Sequence, residues 1–274
     1  NGFAVNDGGA VYINSSAELI LNNSTLSGNS ANSRGGGIHN FYGTLTLSNS
    51  TLSGNVAGSG GGIFNESGTT TLNNSTLSGS WAVFGGGIRN ETGALMLNNS
   101  TLSGNTANEE GGGIYSSDSG TLTLNNSTLS GNTASIGDGG GIFNFNSTLI
   151  LNNSTVSENT ADNDGGGIYQ FGTLTLNNSI VAANTALSVT ENISGLFSGS
   201  NNLTSGDPML APLGNYGGPT QTMPPQFGSP AIDAGLTSAT NSLTDQRGLA
   251  RVQKSGAYGL PVVDIGAEIG RAHV

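Results

Sequence analysis

The chain has 274 residues, of which 46 are glycine and none cysteine, and charged residues make up only 8% of it. Seventeen acidic against six basic residues, a net charge of −11, exclude an electrostatic nucleic-acid surface and disfavour contact with an anionic membrane. Without cysteine there is no disulfide framework, and no apolar run approaches the roughly 18 residues of a membrane span.

In chain order, the first signal is a recurring glycine run that closes on an aliphatic residue: Val11, Ile38, Ile63, Ile88, Ile114, Ile142 and Ile168, at steps of 27, 25, 25, 26, 28 and 26 residues. After each mark comes a short stretch in which Leu alternates with Thr or Ser, and then Asn-Asn-Ser-Thr-Leu-Ser-Gly-Asn or a close variant. Period-2 alternation indicates strands with one buried face, and a repeat of this length indicates a solenoid. Three short strands per repeat cannot bury their apolar faces alone, but stacked turn on turn they enclose a narrow aliphatic core. The expected fold is all-β: a right-handed single-stranded parallel β-helix of about seven coils over residues 1–186. Asn1 falls in the column of Asn29, so the chain starts within a repeat, and earlier coils and a leader are expected upstream.

Stacking turns like residues into columns. Asn29, Asn55, Asn105, Asn132, Asn159 and Asn184, interrupted by Ser80, and Asn40, Asn65, Asn90 and Asn144 are expected to be inward amide ladders. The position before the glycines reads Asp7, Arg34, Ser59, Phe84, Glu110, Asp138, Asp164. Its three consecutive carboxylates suit a solvated acidic edge, a calcium site of hard oxygen ligands, or an acid set for glycoside hydrolysis or lyase chemistry. The coils carry only Arg34, Arg89 and His39 as partners for such chemistry, which argues against catalysis. One residue beyond the aliphatic mark stand Tyr12, His39, Phe64, Arg89, Tyr115, Phe143 and Tyr169. Because the preceding aliphatic residue points inward, these side chains are expected to face outward as an exposed strip. Tyr12, His39, Phe64, Tyr115, Phe143 and Tyr169 are the candidate ligand-binding residues, set against the alternative that a neighbouring segment covers them. Thr25/Ser27, Thr51/Ser53, Thr76/Ser78, Thr101/Ser103, Thr128/Ser130 and Thr155/Ser157 form a hydroxyl lattice, read either as inexpensive strand formers or as an ice-binding face.

After Ala186 the repeat ends, and all seven prolines lie beyond it. Residues 187–268 are expected to form a loop-rich C-terminal cap. Asp233, Asp245, Arg247, Arg251 and Asp264 there read as turn and bridge residues rather than catalytic ones. Residues 269–274 match what one frame of a sequencing adapter encodes, so the chain reads as a metagenomic fragment with a non-native tail.

Five blocks in the cap, Asp207–Leu213, Gly217–Thr222, Ser229–Gly235, Thr244–Gly248 and Asp264–Ala267, resemble the end of bacterial choice-of-anchor Q surface proteins. The GGGI and NNSTLSGN coils are similar to the same family and, more loosely, to polymorphic outer-membrane proteins and pectate-lyase-like β-helices. The resemblance implies a right-handed β-helix exported to the bacterial surface, in a family with no established common activity, whose members often carry a variable anchor.

The functional expectation is a secreted or surface-displayed, adhesin-like or glycan-contacting stalk without catalytic turnover. Its partners would be an extracellular polysaccharide or a host or neighbouring protein, with neither nucleic acid nor membrane insertion, and it requires no cofactor unless calcium occupies Glu110, Asp138 and Asp164. The alternative is a polysaccharide lyase or glycoside hydrolase using those three residues.

Overall fold

The computed structural model describes residues 2–188, 191–237, 242–251, 253–254 and 261–269. These contain short strands and no α-helix, hence no helix long and apolar enough to cross a membrane. The strands pair in parallel from one repeat to the next. Val11, Ile38, Ile63, Ile88, Ile114, Ile142 and Ile168 are register partners in succession, so each repeat is one turn of a β-solenoid.

The turns contribute up to four strands rather than three; in the second turn the fourth is reduced to a bridge at Val56, and in the sixth and seventh the first two run on as one strand. In the fourth turn the four are Ile88–Glu91, Ala94–Asn98, Thr101–Ser103 and Thr106–Ala107. The extra strand is only two residues long, too short for an alternation to show. Its alanine points inward, and Ala134, Ala161 and Ala186 pack together as a small cluster. The stack also continues past Ala186: Ile193 pairs with Ile168, and Ser198–Ser200 pairs with Thr175–Asn177, making an eighth, partial turn. It lacks the Gly-Gly-Gly-Ile signature, so periodicity could not reveal it.

Inside, Ile, Leu and Val from every turn form one continuous core. Leu47, Leu97 and Leu124 are wholly buried, each contributing about 1.5–3 kcal/mol. The corners explain the polar half of the repeat. The second asparagine of the Asn-Asn pair in the coils, such as Asn99 or Asn126, has φ between 47° and 50°, a left-handed conformation that asparagine tolerates better than other non-glycine residues. In the glycine run the first member has positive φ, 63° at Gly85. The second has no room for a side chain, since a Cβ on Gly86 would lie 2.4 Å from the Thr106 carbonyl.

The inward amide ladders are present. Asn105 Nδ2 donates to Asn132 Oδ1 at 2.9 Å, Asn132 to Asn159 at 2.9 Å and Asn159 to Asn184 at 2.9 Å. Each acceptor oxygen also takes a backbone N–H of the neighbouring turn, so a buried corner keeps no orphaned donor there. The second ladder runs Asn40 to Asn65 to Asn90, passes through Ser116, and resumes as Asn144 to Gln170. Asn1 lies outside the described residues.

The C-terminal segment is loop-rich and docks along the flank of the rod. Gln246 inserts its amide between turns, donating to Thr101 Oγ1 at 2.9 Å and accepting from Thr128 Oγ1 at 2.7 Å. Ala267 N donates to Thr155 Oγ1, and Leu236 and Asn178 exchange two hydrogen bonds. Ala231 and Ile265 pack with Ile180 and Ala182 of the seventh turn. The charged residues of the segment tie it together. Arg247 is paired with Asp245 at 2.7 Å and Glu268 at 2.6 Å, and the wholly buried Arg251 reaches Asn126 and the Asp264 and Ala267 carbonyls. Asp264 accepts the Asp233 N–H. Ile269 is buried and its carbonyl accepts from Arg247; residues 270–274 lie outside the described residues.

The hydroxyl lattice is consequently divided. Thr101, Thr128 and Thr155 are buried under the C-terminal segment, while Thr25, Thr51 and Thr76 stay at least partly open. This array therefore offers no open hydroxyl face along the whole rod; a second one, Thr44/Thr46, Thr121/Thr123 and Thr173/Thr175, stays at least partly open and is interrupted by Ala94, Met96 and Ile150.

Candidate functional site

The best candidate face is the outer side of the strands that follow the glycine runs, where three columns lie side by side. The middle one is the Tyr12–Tyr169 column. It is continuous: Tyr12 meets His39 edge-on with centroids 5.0 Å apart, His39 meets Phe64 at 5.1 Å, the Arg89 guanidinium lies 5.5 Å from Phe64 and 4.9 Å from Tyr115, and Tyr115, Phe143 and Tyr169 stack at 5.0 Å each. The alternation therefore assigned the right face but not the exposure. His39 and Phe64 are 1% exposed and Phe143 8%, against 45% for Tyr12. Rings at one-turn spacing cover one another, and flanking side chains close over the rest; no cap or loop is needed for that burial.

The flanks differ along the rod. In the first turns, Glu66 Oε2 accepts from Arg34 Nη1 at 2.8 Å and lies 3.0 Å from His39 Nε2, while Arg89 pairs with Glu91 at 2.8 Å. The Glu66 contact fixes the proton of a neutral His39 on Nε2. Nδ1 then faces Asp7 Oδ2 at 3.7 Å without a hydrogen-bond partner. Burial pulls His39 below its ordinary pKa, outweighing Asp7 and Glu66, which pull it up. Glu66 and Glu91 were missed by sequence reasoning. They stand two residues beyond the middle column, hence on the same face by period 2, and the strand register brings them beside it.

In the later turns the flanks carry no such neutralisation. Glu110, Asp138 and Asp164 stack through their backbones, with Gly111 N donating to Asp138 O and Gly139 N to Asp164 O. Asp138 Oδ1 also accepts the Asp164 N–H at 2.9 Å. Burial, then the neighbouring Glu109, raises the Glu110 pKa; burial also raises Asp138, partly offset by the Asp164 N–H. The ion pairs of this face, Arg34–Glu66, His39–Glu66, His39–Asp7 and Arg89–Glu91, leave out Glu110 and Asp138. Among the described residues no three His, Asp or Glu side chains converge so as to hold a metal ion. On the other flank Phe145 and Phe171 stack at 5.8 Å, 38% and 64% exposed. Beyond them a shallow depression of about 430 Å³ is lined by Gln170, Phe171, Gly172, Gly195 and Leu196.

Residues 99–117 and 148–170 match the family model of the Chlamydia polymorphic membrane protein repeat. The repeat is similar to that of polymorphic outer-membrane proteins. The first stretch begins at the Asn99 corner and the second in the strand before the Asn152–Asn153 corner; both run through the glycines and so include Glu110 with Tyr115 and Asp164 with Tyr169. Together with the parallel solenoid, the match fits a polymorphic-outer-membrane-protein-like β-helix. No curated protein and no solved structure matches the chain significantly.

Proposed function

We propose that the chain is a surface-displayed bacterial β-solenoid, right-handed and of the choice-of-anchor Q type at its end, that serves as a non-catalytic, adhesin-like stalk contacting extracellular glycans. The observation that supports it most is the aromatic platform of turns five to seven, where Tyr115, Phe143, Tyr169, Phe145 and Phe171 form adjoining stacks on one outer face. Phe145 and Phe171 are exposed and Tyr115 and Tyr169 partly so, with Phe143 buried between them, and contiguous rings on a rigid rod are a ready contact surface. The similarity to a polymorphic membrane protein repeat supports placement at the cell surface. Non-catalytic action is favoured by the first-turn charges being used up in ion pairs and by the acids of the later turns having no base or cation set against them in the same turns.

A glycan array probed with the purified chain and with a Tyr115→Ala/Phe145→Ala/Phe171→Ala variant tests this reading. Binding to one or more glycans, lost in the variant at unchanged melting temperature, supports it. Binding that survives the three changes, or release of new reducing ends or unsaturated products from a polysaccharide, overturns it.

A further inference from the structure

The aromatic platform has a charge character of its own, and that character selects among glycans. Glu110 and Asp138 flank it in consecutive turns, in the column whose Phe84 ring lies 5.9 Å from Tyr115 and whose Asp7 carboxylate lies 3.7 Å from His39. The cations of this face, Arg34 and Arg89, stand in the second and fourth turns and are paired with Glu66 and Glu91, Arg89 also lying 4.9 Å from the Tyr115 ring at the near end of the platform. A ligand lying along turns five to seven therefore meets rings beneath it and a row of negative charges along one edge. Anionic chains such as uronates would be repelled. A neutral chain would use the rings and leave the charges idle.

We infer that the occupant of this face is a cationic amino-sugar polymer, lying parallel to the rod with its rings on the Tyr115/Phe143/Tyr169 and Phe145/Phe171 stacks and its ammonium groups toward Glu110 and Asp138. Three features support the assignment, which rests on the glycan-contact reading above. The first is charge complementarity, since carboxylate rows attract ammonium groups and steer their approach. The second is the ring edge, since an ammonium close to a tyrosine or phenylalanine ring also gains cation–π attraction. The third is spacing: turns repeat at about 4.8 Å, and an extended, equatorially linked pyranose chain advances by nearly the same distance per sugar. Successive sugars can then meet the rings of successive turns, with alternate ammonium groups directed to the carboxylate edge because neighbouring sugars in such a chain are turned over relative to one another. The depression lined by Phe171, Gly195 and Leu196 continues the platform beyond the seventh turn and lengthens the track.

The test is titration of the purified chain with chitosan oligosaccharide at slightly acidic pH, with the fully N-acetylated oligosaccharide and an oligolysine of equal charge as comparators. The expected result is saturable binding of the amino-sugar oligomer, weakened by salt and weaker by about tenfold or more in Glu110→Gln/Asp138→Asn. The acetylated oligomer and oligolysine should bind the wild-type chain more weakly by a similar factor. Phe171→Ala, at an exposed ring outside the core, should weaken binding as well, with circular dichroism confirming that both variants keep their β-structure. Equal binding of the acetylated oligomer, or no effect of the carboxylate changes, overturns the amino-sugar assignment while leaving the glycan-contact reading intact. Equal binding of oligolysine overturns it too, because rings would then contribute nothing. Absence of binding by either oligosaccharide overturns the amino-sugar assignment, and the glycan array then decides the glycan-contact reading separately.

Discussion

The first and the later turns share one backbone and present two different surfaces. In turns one to four the outer face is a closed electrostatic network, Asp7, Arg34, His39, Glu66, Arg89 and Glu91, wrapped around buried rings. In turns five to seven the same columns carry stacked aromatics beside Glu110, Asp138 and Asp164. The difference teaches where a repeat protein keeps its specificity. Glycine, asparagine and the inward aliphatics are dictated by the winding and recur everywhere; outward positions are free to vary, and that is where one region of the rod comes to differ from another.

The sharpest way to break the comparison is to attack what the two regions share. Gly36→Ala in the second turn and Gly140→Ala in the sixth would each place a Cβ within 2.4 Å of backbone in the adjoining turn. Each should cost about 3 kcal/mol or more, at the upper end of overpacking penalties. Chemical denaturation should show similar losses, and a large inequality would mean that the scaffold is not equivalent along its length.

The next test separates the regions. Glu66→Leu strands the buried His39 Nε2–H and frees Arg34, and should destabilise by about 1–3 kcal/mol. Glu110→Leu removes a partly buried carboxylate whose ionised form burial disfavours, so thermal melting should change little or rise, by about 0.5 kcal/mol or less given its solvent exposure. Equal destabilisation by both would erase the distinction.

The smallest effect is in pH, and its sign is opposite in the two regions. His39 has its pKa lowered from 6.5 by burial, so the unfolded chain binds the proton more readily. Its contribution is therefore whole above 6.5 and is lost as the pH falls below that value. Glu110 and Asp138 are raised from 4.5 and 3.8, so their contribution is whole below those values and is lost as the pH rises through their folded pKa values. Hydrogen exchange corrected for intrinsic rates should show the first turns loosening on mild acidification while turns five to seven do not.

Much of the fold was legible in the residues. The Gly-Gly-Gly-Ile marks set the register, because only glycine fits where adjoining backbones come within contact, and the asparagine columns announced their ladders, because a buried corner needs a side chain that both donates and accepts. The candidate face was legible as a column of residues facing outward. Its burial was not, since exposure of Phe64 or His39 depends on what the turns above and below supply. Neither was the pairing of His39 with Glu66, which are 27 residues apart and meet only when the turns are superposed.

What the amino-acid order determined alone, then, is everything that follows from local geometry repeated at a constant step: winding, core, corners and the side of the strand each residue takes. What only the tertiary structure decided are the contacts between segments with no common period. The C-terminal segment returns along the flank and seals Thr101, Thr128 and Thr155 through Gln246 and Ala267, and the eighth turn forms without the glycine signature. Periodicity encodes neighbours one turn apart, whereas docking of an aperiodic segment is set by shape and hydrogen bonding that appear once the rod exists.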